Sequence, residues 1–199
     1  MNDRQLRARL IGITAARGEA PVVYGDDVLA EMDTSPVPAA VLVPLVMRAA
    51  PTLLLTKRTA HLKKHAGQVS FPGGRIDPGD PHAEAAALRE AEEEIGLDPA
   101  HVEIVGRMAD YVTGTGYRIT PVLGLVRPDL AYVPSPHEVE AVFEFPLTDL
   151  LDPEAPRRQR QHVRGSWREY WVWPHPDHFI WGATAAIMVH LAHRLREGS

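Results

Sequence analysis

The 199-residue chain contains no cysteine. That absence excludes disulfide scaffolds, zinc–thiolate sites, iron–sulfur clusters and thiol nucleophiles, and it suits a reducing compartment. Long apolar runs are missing as well. The longest, Val37 to Met47, is too short to span a bilayer and contains prolines. The N-terminus, MNDRQLRARLIGITAARG, has no sustained apolar core followed by a small-residue cleavage site. A soluble, cytoplasmic protein without a membrane partner is expected. Nor is there an excess of positive charge: 26 acidic against 21 basic side chains give a formal charge of −5. A protein held mainly by DNA or RNA phosphates carries a basic footprint, so no nucleic-acid partner is expected. No internal repeat and no low-complexity segment occurs.

What is present is an ordinary globular composition, 45% apolar and 24% charged. A domain of this size buries roughly 70% of its unfolded surface and needs no staple. Residues 1–38 read as an N-terminal helix (Asp3 to Arg17, with Leu6, Leu10 and Ile13 at helical spacing) and an irregular arm. Residues 39–199 read as the principal domain. Strands are predicted at Ala39–Met47, Thr52–Lys57, Val102–Met108, Ile119–Val126, Val139–Phe145 and Tyr170–Trp173, with a last helix over Ile180–Leu195. Between them, Asp80-Pro81 offers an N-cap and a first-turn proline for a helix running to Ile95, with Gly96 as its C′ residue. Strands and helices mix without regular βαβ alternation. That predicts an α/β class of the α+β, mixed-sheet kind, an α/β/α sandwich rather than a doubly wound sheet.

The most informative segment is Gly74 to Leu97. Glu90, Glu93 and Glu94 lie at i, i+3 and i+4 and project from one side of the helix, beside an apolar stripe of Ala87, Leu88, Ala91 and Ile95. Like charges so spaced repel by a few tenths of a kcal/mol per pair on an exposed helix. A hard divalent cation turns that repulsion into binding, because Mg²⁺ prefers carboxylate and phosphate oxygens. The bland alternative is a solvated acidic face, partly neutralised by Arg89 reaching Glu93 at i+4.

The segment resembles the Nudix box, G-x5-E-x7-R-E-U-x-E-E-x-G-U, with U apolar. Gly74 supplies the first glycine, and Arg89, Glu90, Glu93, Glu94, Gly96 and Leu97 fill the second half in register. Asp80 stands where the first glutamate belongs, one residue out of register, and Ala91 is a small apolar residue. Upstream, LLTKRTAHLKKHAGQVSFPGG (Leu54 to Gly74) closely resembles the L-L-T-x-R-S-x3-R-x3-G-x3-F-P-G-G signature of the coenzyme A pyrophosphatases among Nudix enzymes. Thr59 replaces Ser there, and Lys63 replaces Arg. The C-terminal IWGATA, Ile180 to Ala185, looks like that subfamily too.

The resemblance implies a Nudix sandwich that hydrolyses the pyrophosphate of coenzyme A to 3′,5′-ADP and 4′-phosphopantetheine. It implies Mg²⁺ or Mn²⁺ held by Glu93 and Glu94, with Glu90 as ligand or base, the Gly73 carbonyl as an extra ligand, and Arg89 orienting a glutamate. A further carboxylate from outside the box is expected in Glu138 or Glu140, and a homodimer is expected. Arg58, Lys63, Lys64 and His65 supply cations for coenzyme A phosphates, beside Phe71, Gly73 and Gly74. Alternative readings are hydrolysis of ADP-ribose or another nucleoside diphosphate derivative, and a Nudix-like binding module without turnover.

Other residues read more blandly. In His137 to Phe145 the alternation puts Val139, Ala141, Phe143 and Phe145 on one face, and Glu138, Glu140 and Glu144 on the other. His175 and His178 have a metal-site spacing but no third ligand nearby. His190 and His193 are expected at a surface or interface. Trp167, Trp171, Trp173 and Trp181 are expected to serve core or subunit packing, with base stacking by one of them as the alternative.

Overall fold

The computed structural model describes residues 3–15, 23–24, 35–62, 65–163 and 166–197. In chain order the elements are α1 (Asp3–Ala15), β1 (Val23–Tyr24), β2 (Val37–Val46), β3 (Thr52–Arg58), β4 (Val69–Ser70), β5 (Gly73–Arg75), α2 (Ala83–Ile95) and β6 (Val102–Arg107). There follow β7 (Tyr111–Val112), β8 (Tyr117–Val126), β9 (Val139–Pro146), α3 (Leu147–Leu150), β10 (Arg157–Val163), β11 (Ser166–Trp173), β12 (Ile180–Trp181) and α4 (Gly182–Glu197).

A mixed sheet runs β1-β7-β8-β2-β3-β4, with β5 on β2, β6 on β8 and β9 on β3. Its centre is a parallel ladder of β2 and β8, from Val37 opposite Tyr117 to Val46 opposite Val126. Strand alternation then sorts the apolar residues into two cores. Ala40, Leu42, Leu54 and Val122 face the alanine-rich side of α2. Val43, Leu45, Leu53 and Leu123 face the other way, toward Leu6 and Leu10 of α1 and Ile187 and Leu191 of α4. The expected α/β/α sandwich is therefore the observed one. Leu6 and Leu10 are fully buried, and Arg9 donates to the Leu195 carbonyl at 2.8 Å, so α1 is packed into the domain rather than appended to it.

β2 changes partners along its length. It pairs with β3 only at Leu45 and Val46, and β5 replaces β3 beside Ala39, Ala40 and Val41. The sheet opens at that exchange, and the glycines of FPGG lie in the opening. Close approach explains the glycines. A Cβ on Gly73, whose φ is +154°, would stand 2.6 Å from Val41 Cα. One on Gly74 would stand 2.5 Å from the Glu90 carboxylate carbon.

Several sequence expectations are corrected. The box helix begins at Ala83, with His82 as its N-cap: His82 Nδ1 accepts from the Ala85 N–H at 3.2 Å. Asp80 is committed elsewhere. Its carboxylate accepts the Asp77 N–H at 2.8 Å, closing the DPGD turn, and binds Arg89. Gly96, at φ +65°, does end the helix, as expected. The buried stripe of α2 is Ala83, Ala86, Ala87, Ala91, Glu94 and Ile95; Leu88 is only half-buried, and a glutamate is included. In β9 a bulge at Glu140 shifts the phase, since Lys57 faces Ala141 but Arg58 faces Val139. Val139 consequently joins the α2-side core, while Phe143 and Phe145 join the opposite one.

The stretch around Tyr170–Trp173 is longer than expected, and it pairs with β10, a strand that the sequence pattern does not predict. The last helix starts at Gly182, after a short strand that pairs Trp181 with Val172. Most of the expected irregular arm, together with Ala16 and Arg17, lies outside the described residues. So do Lys63 and Lys64.

Candidate active site

The three box glutamates share a helix but not an environment. Glu93 is 60% exposed, Glu90 18% and Glu94 2%. Taking a carboxylate from water is costly unless it is paired, and Glu94 has two partners. Arg58 Nη1 approaches its Oε1 at 3.1 Å, and the Gly73 N–H donates to its Oε2 at 3.2 Å. Burial nevertheless dominates. It pushes the Glu94 carboxyl up to about 7, against the pull of Arg58 and Gly73, and nearby Glu90 and Glu138 push the same way. Burial also raises Glu90, opposed by Arg89 and assisted by Glu93 and Glu138.

Arg89 organises the exposed side of this cluster. It donates to Asp80 at 3.1 and 3.0 Å, to Glu90 at 2.9 Å, to Glu93 at 3.1 Å and to the Arg75 carbonyl at 3.2 Å. The guanidinium is thus oriented by Asp80 and in turn orients two glutamates. Arg89 and the Asp77 N–H together hold the Asp80 carboxyl below the usual carboxylate range.

Of the two outside carboxylates expected from the sequence, Glu138 joins the site. It precedes β9, its carbonyl accepts the Thr59 N–H at 3.0 Å, and it lines the same cavity as Glu90 and Glu94. Glu140 is held by Lys57 at 2.7 Å and lies outside the residues lining that cavity. Glu144 binds Arg48 and Thr52.

The cavity measures about 790 Å³, within the usual size of small-molecule sites. Gly73, Gly74, Glu90, Glu94 and Glu138 form one end. Phe71, 2% exposed, backs the loop and lines the floor with Val41 and Ile119. His65 also lines it, with Nδ1 at 2.8 Å from Gln68 Oε1. The IWGATA segment braces this end: Thr184 donates to the Val69 carbonyl at 2.9 Å, and Trp181 and Gly182 line the cavity.

The β10–β11 hairpin adds Gln161, Arg168, Glu169 and Tyr170 to the lining, residues that the sequence pattern does not mark as functional. Every residue from Arg157 to His162 is polar, so no apolar period marks the strand. The density of arginine and tryptophan there was the available signal.

The other candidates are structural. Trp173 is buried in the core beside Phe145, while Trp167 is exposed. His178 stacks on Phe143 at 3.9 Å between ring centroids, and burial holds its imidazole below the usual pKa. His193 faces Glu197 at 3.3 Å, and His190 is half-buried.

The donor set suits a hard cation. Glu90 and Glu94 are wholly or partly buried, and the charge of Glu138 beside them raises both carboxyls further. A divalent ion relieves that crowding. Among the described residues no three carboxylate or imidazole groups already stand in ligating positions. Glu94 and Glu90 hold arginines instead, so an ion would take over contacts that Arg58 and Arg89 now make. Gly73 meets Glu94 through its N–H.

A carboxylate-lined cavity behind a glycine loop, on this sandwich, is the arrangement that the comparisons with known proteins place in a family. The NUDIX domain family matches residues 36–178, and the chain belongs to it. It is 48% identical over 154 residues to a relative from Escherichia coli strain K12 described as "Uncharacterized Nudix hydrolase NudL", covering 77% of this chain and 80% of that one. The fold resembles the NUDIX domain of Shewanella oneidensis NrtR, solved with ADP ribose, at a TM-score of 0.51 and 18% identity over 86% of this chain and 93% of that chain. It also resembles RenU, a Nudix hydrolase from M. smegmatis, at a TM-score of 0.50 and 23% identity over 68% and 84%.

Proposed function

We propose that this protein hydrolyses the pyrophosphate bond of coenzyme A or its derivatives, giving 3′,5′-ADP and 4′-phosphopantetheine or its acylated form. One observation carries the reading. The loop bearing the coenzyme A pyrophosphatase-like motif lines the same cavity as Glu90 and Glu94 of the box, and Arg168, Tyr170 and Trp181 line it too, while Glu93 lies outside the lining. A long, doubly phosphorylated substrate suits that shape.

In this reading Glu90, Glu93 and Glu94, with the Gly73 carbonyl, hold Mg²⁺ or Mn²⁺. The bound ions supply Lewis acidity toward the phosphate and make water more nucleophilic. The protein's own groups do the rest. Glu138 accepts the proton of the attacking water, whose oxygen bonds to phosphorus while the bridging P–O bond breaks. Two phosphomonoesters leave, and the proton passes from Glu138 to solvent. Arg89 keeps Glu90 and Glu93 in place, Arg58 keeps Glu94 in place, and Lys63 and Lys64 supply positive charge for the phosphates of coenzyme A. The protein acts as a homodimer, and light scattering giving a 22.0 kDa particle at micromolar concentration would reject that assembly.

The test is a panel. Purified protein with Mg²⁺ or Mn²⁺ is incubated with coenzyme A, dephospho-coenzyme A, ADP-ribose and a dinucleotide, and products are identified by mass. Preferential release of 3′,5′-ADP from coenzyme A is expected. Preference for ADP-ribose would retain the chemistry and refute the substrate. No turnover of any member would leave a binding module.

A further inference from the structure

We infer that Arg168 is a specificity-determining residue that recognises a phosphomonoester at the nucleotide end of the substrate, with Tyr170 and Trp181 flanking the base; this rests on the coenzyme A reading above. Strand alternation places Arg168 and Tyr170 on one face of β11. The residues opposite them on β10 are Gln161 and Gln159. Arg168, Tyr170 and Gln161 line the cavity, and Trp181 joins them from β12 at 5.4 Å from the Tyr170 ring.

The charges of the hairpin are distributed unevenly between its faces. On the face away from Arg168, Arg158 and Arg160 approach Glu169 at 3.5 and 3.1 Å and lie over Trp171 and Trp167. Those cations are engaged. The other arginines of the cavity are engaged too: Arg58 with Glu94 and Arg75 with the Tyr117 hydroxyl. Among the described residues, Arg168 is the cavity-lining arginine with neither an ion pair nor a hydrogen bond. Its Nη1 sits 3.4 Å from where a Cβ on Gly114 would be, so the guanidinium reaches across to the turn between β7 and β8 through space that a side chain would narrow.

A guanidinium with its donors available, beside aromatic rings and next to a Glu169 carboxylate that also lines the cavity but is held by Arg158 and Arg160, fits a dianionic phosphate through paired N–H···O bonds. The scissile pyrophosphate belongs with the carboxylates. A second phosphate, on the ribose, is the anion left for Arg168.

Binding of product fragments separates this inference from the catalytic reading. Calorimetric titration of the full chain with adenosine 3′,5′-bisphosphate and with AMP should give the bisphosphate a roughly ten- to hundredfold advantage, the worth of a charge-assisted hydrogen bond. Arg168→Gln should erase that advantage while weakening AMP far less, and Arg168→Lys should restore part of it. In turnover, Arg168→Gln should raise KM for coenzyme A more than for dephospho-coenzyme A. A variant of unchanged melting temperature that keeps the bisphosphate advantage, or weakens both ligands equally, overturns the assignment even if coenzyme A is hydrolysed. A wild-type protein without that advantage overturns it too. If the panel above also shows no coenzyme A turnover, the substrate reading falls with it.

Discussion

Arg89 and Asp80 meet through two hydrogen bonds, at 3.1 and 3.0 Å, nine positions apart and from inside and outside the same helix. The pair fixes a guanidinium plane whose remaining nitrogen holds Glu90 and Glu93. Asp80→Asn keeps the shape but removes the charge that fixes Arg89. We expect roughly tenfold slower turnover with most of the loss in kcat, and partial rescue by Asp80→Glu. Unchanged kcat in Asp80→Asn would show that Arg89 needs no such anchor.

Two adjacent glycines should respond differently to alanine. Gly73→Ala drives a Cβ against backbone at a positive φ, and roughly 2–4 kcal/mol of stability should be lost. Gly74→Ala meets only the end of the Glu90 side chain, which can rotate away. Its melting temperature should stay near wild type while turnover drops at least about tenfold. Denaturant titration with parallel kinetics checks both, and equal destabilisation of the two variants would contradict the geometry.

Glu94 should make metal-free protein lose stability as pH rises. Its carboxyl is raised in the folded state from 4.5 to about 7, so between those values the folded protein binds more protons than the unfolded one. The slope of unfolding free energy against pH is therefore negative in that window, worth up to about 3 kcal/mol. Glu94→Gln should flatten it. Denaturant melts in a chelator, taken from below the lower value to above the upper one, test this. Identical slopes in the two proteins would place Glu94 in a wetter setting.

Divalent ions should reverse that penalty. Mg²⁺ or Mn²⁺ at about a hundred times its dissociation constant should stabilise wild type by about 2.7 kcal/mol. Glu94→Gln and Glu93→Gln should lose most of that gain and orders of magnitude in turnover. A wild-type melting temperature indifferent to both metals would remove the proposed role of the glutamates.

The parts legible in the sequence are those set by short-range spacing. Glu90, Glu93 and Glu94 follow helical period, and Gly96 ends the helix as a left-handed C-cap, so α2 and the glutamates on it are legible directly. Asp80 was misplaced because one carboxylate serves equally well as a helix cap or an arginine partner, and only the fold decides between them. Glu94 was expected beside its exposed neighbours, yet it lies at i+3 from Ala91 on the buried stripe. Glu138 and Glu140 were indistinguishable until the β9 bulge put them in different surroundings. β10 leaves no period to read, because it is polar on both faces through Arg157–His162, so only the Tyr170–Trp173 end of its partner is legible and the hairpin's share of the cavity lining is not.

The long parallel ladder of β2 and β8 has a kinetic consequence. Ala39 is paired with Ile119, roughly eighty residues further along, a separation that slows closure of a chain. Everything between them, the glycine loop and the glutamate helix included, is an excursion that returns only when that ladder zips. Glu138 and the hairpin wall arrive from still further on. The crowding of Glu90, Glu94 and Glu138 is accordingly absent from early, locally formed structure and arises as the sheet closes. Electrostatic strain in the site should then appear chiefly in the unfolding rate, so that a neutral residue at Glu94 lengthens the lifetime of the native state more than it hastens its formation.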